Sequence, residues 1–156
     1  MDIHIQKLPD YHVAYVRYTG PYGPEIGKAF QKLMEWAGPK DLFGPETRVL
    51  GVYWDNPDTT PPEECRSDAA ITVPEGTDVT GEVKLGVLPG GNFAVYHTTV
   101  YNDDFEKPWY EAWNLVQEQG YEVDLESPCY EIYYNDASKD PEHKWIVDLC
   151  IRIKPD

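Results

Sequence analysis

The chain has 156 residues, 41% of them apolar and 13% aromatic, so it is long enough for one domain with a substantial core. Its formal net charge of −15 excludes the basic surface that direct nucleic-acid binding requires, and no apolar run approaches membrane-spanning length. Three cysteines without a CxxC pair and four histidines without ligand spacing predict no disulfide framework, metal site or cofactor. Because the N-terminus lacks the features of a signal peptide, we expect a cytoplasmic protein. We also expect it to be a monomer.

The first predicted elements are a strand at about 11–18 and a helix after it. The apolar residues of this helix recur at i, i+3, i+4 and i+7, namely Phe30, Leu33, Met34 and Ala37. Gly38 and the proline after it are expected to end the helix. Two strands follow at about 48–54 and 67–73, and a Gly-rich link contains a short strand at about 83–88.

The second half of the chain repeats this pattern. A strand is predicted at about 92–100, followed by a helix with the same apolar spacing, formed by Trp109, Ala112, Trp113 and Val116. Asp103 or Asp104 is expected to cap the helix, Pro108 fits its first turn, and Gly120 ends it. Two further strands are predicted at about 129–134 and 145–153.

An internal duplication explains this recurrence. Four segments recur in the same order at an offset of about 80: HVAYVRYT with NFAVYHTT, KAFQKLMEW with KPWYEAWNL, GVYWDNP with EIYYNDA, and CRSDAAITVP with WIVDLCIRIK. Each copy has the order β-α-β-β, so we predict a single domain, 1–156, with repeats at about 1–74 and 83–156. The expected fold class is α+β: an antiparallel sheet with two helices on one face and pseudo-twofold symmetry.

The sharpest difference between the copies is Gly51 in the first, where the second has Glu131. On the next strand the alternating residues Trp145, Val147, Leu149, Ile151 and Ile153 form one apolar face, which the helices must cover. If Glu131 and Tyr133 share that face, a carboxylate lies buried beside aromatic rings. Two interpretations stay open: Glu131 hydrogen-bonds tyrosine hydroxyls or ends a strand at the surface, or it lies at the base of a cavity that takes a cationic ligand.

The stretches YVRYTGPYG, GVYWDNPDTTPPEECRSDAAITVP, DDFEKPWYEAWN and PCYEIYYND resemble the GyrI-like family, and they span nearly the whole chain in order. This family comprises DNA gyrase inhibitory proteins and the effector-binding domains of some AraC-type and MerR-type regulators. The resemblance implies an SHS2-type fold with a ligand pocket at the pseudo-twofold axis. Its pocket residues fall on Glu131, Tyr133, Trp145, Trp109, Phe30 and, more weakly, Tyr53. The DNA-binding helices of the regulators have no counterpart here.

The resemblance implies a binding protein for planar, apolar, often cationic small molecules, which protects cells from DNA-damaging or gyrase-targeting toxins. DNA gyrase itself is a candidate partner, because an acidic surface suits a basic one. An enzyme is the alternative: Glu131 would deprotonate water and Tyr133 would stabilise an oxyanion during hydrolysis of cyclopropane-containing DNA-alkylating toxins. A protein-interaction module with a vestigial pocket is a further alternative.

Overall fold

The structure, a computed structural model, describes residues 3–23, 25–40, 42 and 44–154. Its elements are β1 (His4–Leu8), β2 (Tyr11–Thr19), α1 (Ile26–Ala37), β3 (Val49–Tyr53), β4 (Arg66–Thr72), β5 (Lys84–Leu88), β6 (Gly91–Tyr101), α2 (Glu106–Glu118), β7 (Cys129–Tyr133) and β8 (Lys144–Arg152). Neither α1 nor α2 is long and apolar enough to cross a membrane. The predicted α+β class and the duplicated β-α-β-β order are both confirmed.

The chain forms two compact units, which we call the N-terminal unit (residues 9–90) and the C-terminal unit (residues 91–156 together with 1–8). The N-terminal unit has an antiparallel sheet in the order β3-β4-β2-β5. Helix α1 packs on one face of it and buries Ala29, Leu33 and Ala37. These side chains meet Ala14, Val16, Ala69 and Ile71 from the strands, so the predicted apolar stripe of α1 does face the sheet.

The C-terminal unit has the matching antiparallel sheet in the order β1-β6-β8-β7. Helix α2 buries Pro108, Ala112 and Val116 against it. The strand residues of this core are Ala94, Tyr96, Val100, Val147, Leu149 and Ile151. Trp109 and Trp113 pack against the core but stay half-buried, so the helix keeps part of its aromatic surface accessible.

Strand register is the same in the two units. In the N-terminal unit, Ala69 of β4 lies opposite Val16 on one side and Gly51 on the other. In the C-terminal unit, Leu149 of β8 lies opposite Tyr96 and Glu131. Since directly opposed residues share a sheet face, Gly51 and Glu131 occupy equivalent places under their helices.

A second repeated arrangement lies on the sheet face opposite each helix, where an aspartate is held by two partners. Asp68 accepts two hydrogen bonds from Arg17, at 2.8 and 3.1 Å, and one from the Trp54 indole at 2.7 Å. The equivalent residue, Asp148, lies 2.7 Å from His97 Nδ1 and accepts a bond of 2.6 Å from the Tyr134 hydroxyl. The duplication therefore preserves the geometry of this polar triad while changing two of its three residue types.

The two units differ from the sequence repeats at their edges. Strand β1, which was not predicted, pairs with β6 and so belongs to the C-terminal unit. Strand β5, from the predicted link, pairs with β2 in the N-terminal unit. Each unit thus takes its edge strand from beyond its own repeat. The prediction of one domain over the whole chain stays a prediction.

The predicted cap of α2 is wrong. The N-cap residue is Phe105, and no described side chain caps the helix. Asp103 has a left-handed backbone, with φ of 57°, and its side chain instead accepts a hydrogen bond from Trp145. The other predicted signals hold, because Pro108 lies in the first turn and Gly120 follows the helix with φ of 77°.

The three cysteines are free thiols. Cys150 is fully buried in the core. Burial raises the pKa of Cys129 to about 12 and the pKa of Cys150 well above its usual value. Both thiols are therefore protonated and unreactive at neutral pH.

Ser67 supplies a test of the duplication. Its hydroxyl is buried without a hydrogen-bond partner among the described residues, whereas the equivalent position of the other unit is Val147. We predict that Ser67→Ala raises the free energy of unfolding by about 1 kcal/mol, because an unsatisfied buried hydroxyl is removed. Urea denaturation measures this; a loss of stability instead would mean that the hydroxyl has a partner, such as an ordered water.

Candidate functional site

Glu131 is buried beneath α2, with 2% of its surface exposed. It lies opposite Leu149, and Tyr133 lies opposite Val147, so both share the apolar face that the sequence analysis identified. This confirms the predicted face. The alternative of an exposed strand end is wrong.

Among the described hydrogen bonds, one from α2 and one from β7 hold the Glu131 carboxylate. The indole Nε1 of Trp109 donates to Oε2 at 2.6 Å, and the hydroxyl of Tyr133 donates to Oε1 at 2.5 Å. One donor comes from the helix and the other from the strand, so the carboxylate links the two layers. The tyrosine contact matches the hydrogen-bonded alternative of the sequence analysis, and such contacts offset part of the cost of burying a charge.

Aromatic rings continue outward from this carboxylate. The rings of Tyr133 and Trp145 are 5.3 Å apart, and Phe105 meets Tyr133 edge-on at 6.4 Å. We call Glu131, Trp109, Tyr133, Trp145 and Phe105 the Glu131 cluster. Its four aromatic residues are half-buried while the carboxylate is buried. The cluster thus presents aromatic surface with a buried carboxyl group behind it.

Sequence reasoning placed three of these aromatic residues in the site and missed Phe105. It also missed Asp103, which accepts a hydrogen bond of 2.9 Å from Trp145 Nε1. Only the aromatic character of Phe105, directly before the helix, could have indicated it. The contact of Asp103 depends on a turn conformation that local sequence does not specify.

Phe30 and Tyr53 belong to the N-terminal unit. Phe30 is half-buried on α1 and packs against the core of that unit. Tyr53 lies at the end of β3 and meets Tyr22 edge-on at 5.0 Å. Their roles in ligand binding stay predictions.

A second carboxylate, that of Glu111 on α2, faces the sheet and offers a comparison with Glu131. The hydroxyl of Tyr96 donates to Oε2 of Glu111 at 2.9 Å. Burial, reinforced by this hydrogen bond, raises the pKa of Tyr96, so the tyrosine remains a neutral donor. Glu111 itself is half-buried, which makes it the less costly carboxylate to accommodate.

Residues 1–154 match the family model described as the GyrI-like small molecule binding domain. The chain belongs to this family and is a small-molecule-binding protein. A relative named DNA gyrase inhibitor 2, from Dickeya dadantii, is 36% identical over 159 residues, which cover 99% of this chain and 97% of the relative.

Solved structures share the fold at lower identity. The C-terminal domain of EcmrR superposes with a TM-score of 0.75 at 15% identity, covering 99% of this chain and 98% of that domain. SAV2435 bound to tetraphenylphosphonium gives a TM-score of 0.68 at 15% identity, covering 99% of this chain and 94% of that protein. These similarities confirm the predicted fold.

The hydrogen bonds of Glu131 predict a cost for removing one donor. Trp109→Phe leaves a buried carboxylate oxygen without its indole partner. We expect it to lower the free energy of unfolding by about 1–3 kcal/mol more than Trp113→Phe does. Trp113 is the matched control, because it packs on the same helix and core. Equal losses in urea denaturation would mean that the Trp109 bond contributes nothing beyond ring packing.

Proposed function

We propose that this chain binds apolar, cationic small molecules that carry aromatic rings, planar ones among them, at the Glu131 cluster. The observation that carries the proposal is a carboxylate with 2% exposure set behind half-buried aromatic rings. A buried carboxylate favours a cation, and ring faces attract cations through their quadrupole. Flat apolar ligands suit the same rings through stacking and burial.

The carboxylate is held rather than free to rotate. Trp109 and Tyr133 fix its two oxygens from the helix and from the strand. A preorganised anion binds a ligand without the cost of ordering its own side chain. Burying a carboxylate beneath a helix is costly, and the N-terminal unit folds with Gly51 at the equivalent position. The presence of Glu131 therefore supports a role in binding rather than in folding.

Contact with DNA gyrase is a second candidate function. The named relative is a DNA gyrase inhibitor and aligns over nearly the full length of this chain. The net charge of −15 suits a basic, nucleic-acid-binding surface, to which it would be drawn by long-range attraction. This function would use the surface charge and not the Glu131 cluster.

Hydrolysis is the remaining candidate, and the pairing of Tyr133 with Glu131 at 2.5 Å is the contact that favours it. A carboxylate can activate water and a hydroxyl can stabilise an oxyanion, but Tyr133 has one hydroxyl proton and donates it to Glu131, so this hydrogen bond must break before Tyr133 can donate to an oxyanion. Incubation with a cyclopropane-containing DNA-alkylating compound, followed by chromatography, tests it. Catalytic release of a ring-opened product would make the cluster an active site.

Glu131→Gln tests the binding function. We expect it to weaken binding of tetraphenylphosphonium by about 1–3 kcal/mol, because a charge-assisted contact is lost. The fold should persist, since the glutamine amide retains an acceptor for Trp109 and removes a buried charge. Isothermal titration calorimetry measures the affinity, and thermal melting checks the fold.

Glu111→Gln is the matched control, because it neutralises the other carboxylate between α2 and the sheet. It should leave the affinity within about twofold. Equal weakening by both substitutions would mean that net charge, and not the Glu131 cluster, attracts the cation. Unchanged affinity in Glu131→Gln would refute the proposed site.

Gyrase inhibition should separate from ligand binding. In a plasmid supercoiling assay, we expect the wild type and Glu131→Gln to inhibit gyrase equally. We also expect inhibition to fall as salt is raised through roughly 0.1 M, where the screening length is about 10 Å. Loss of inhibition in Glu131→Gln alone would instead connect the two activities at one site.

A further inference from the structure

Asp103 lies between β6 and α2 and joins three parts of the C-terminal unit. Its Oδ1 accepts a hydrogen bond of 2.9 Å from Trp145 Nε1, near the start of β8. Its Oδ2 lies 3.2 Å from Nε2 of His143, in the turn before that strand. Two residues further along the chain, Phe105 packs on Tyr133. Asp103 therefore connects the loop that carries one wall of the Glu131 cluster to the tryptophan that forms another.

The backbone around this contact is strained. Asn102, Asp103 and His143 are the non-glycine residues of the described chain with positive φ, at 57°, 57° and 51°. A left-handed conformation costs about 1 kcal/mol for most residues with a side chain, and less for Asn and Asp, which adopt it more readily. All three lie next to one another in space, because His143 contacts Asp103. Strain gathered at one point beside a binding cluster suggests that the resulting geometry is functional.

The left-handed backbone at Asp103 places its carboxylate where it accepts the hydrogen bond from Trp145 Nε1. Trp145 packs on Tyr133, and Tyr133 donates to Glu131. A half-buried tryptophan ring without a bond to its indole nitrogen would be freer to change rotamer. The bond to Asp103 therefore favours one orientation of the Trp145 ring beside Tyr133 before a ligand arrives.

We propose that Asp103 is a positioning residue of the binding site, which acts through Trp145 to preorganise the aromatic wall of the Glu131 cluster. This inference rests on the proposed function and deepens it. Its consequence is that Asp103 contributes to affinity for flat or ring-bearing cations while its backbone conformation opposes stability.

Glycine substitutions test this with opposite expected effects on stability and affinity. Asp103→Gly relieves the left-handed strain and removes the acceptor, so we expect an unchanged or higher melting temperature and roughly fivefold to tenfold weaker tetraphenylphosphonium binding. Asn102→Gly is the matched control: it relieves the same strain at the preceding residue and makes no contact with Trp145 among the described hydrogen bonds. It should keep wild-type affinity. Equal weakening by both variants would overturn the proposal in favour of loop flexibility.

Two further variants examine the route through Trp145. Asp103→Asn retains the Oδ1 acceptor and should restore affinity to within about twofold of the wild type. Trp145→Phe removes the indole N–H, so adding Asp103→Gly to it should weaken binding no further. A full additional loss in the double variant would show that Asp103 acts by another route and would overturn the proposal.

A measurement without ligand keeps this inference separate from the proposed function. The indole N–H resonance of Trp145, assigned with Trp145→Phe, should shift and exchange faster with solvent in Asp103→Gly, while that of Trp109 stays unchanged. If the wild type fails to bind tetraphenylphosphonium, the proposed function fails, and the same spectrum still tests the positioning. An unchanged Trp145 resonance would overturn the positioning role.

Discussion

A buried carboxylate must be given hydrogen-bond donors, and this requirement organises the C-terminal unit. Glu131 receives one donor from α2 and one from its own strand, so the distance from the helix to the sheet is tied to the reach of the Trp109 side chain. The aromatic rings that surround the carboxylate also limit its contact with water. The hydrogen bonds that offset the cost of burying the Glu131 carboxylate thus also orient it towards a cationic ligand.

Because the fold is duplicated, each feature of the C-terminal unit can be compared with the equivalent position of the N-terminal unit. The N-terminal unit keeps the register but places Gly51 and Ala69 where the other unit has Glu131 and Leu149. A four-stranded sheet with one helix therefore folds with no carboxylate at this place. The polar triad around Asp68 or Asp148, in contrast, recurs with the same geometry and different partners. Conserved geometry indicates a role in the architecture, and the broken symmetry at Glu131 indicates function.

The face and burial of Glu131 could be predicted because the alternating residues of β8 fix which side the helix covers, and opposed strands share it. Strand β1 could not be predicted, since HIQKL is short and four of its five residues are exposed. Asp103 was predicted as a helix cap from its residue type. Its left-handed backbone and its contact with Trp145 depend on residues far apart in sequence. Phe30 and Tyr53 were placed in the site by resemblance, and their roles stay predictions.

Each unit takes its edge strand from the other sequence repeat, and this exchange determines which fragments of the chain contain a complete unit. His4 pairs with Val95, so β1 must wait through about 90 residues of synthesis for its partner strand. A fragment cut at the sequence repeat, residues 83–156, would lack β1 and would carry β5 without β2. The ancestral halves suggested by the duplication are therefore no longer the halves into which the protein can be divided.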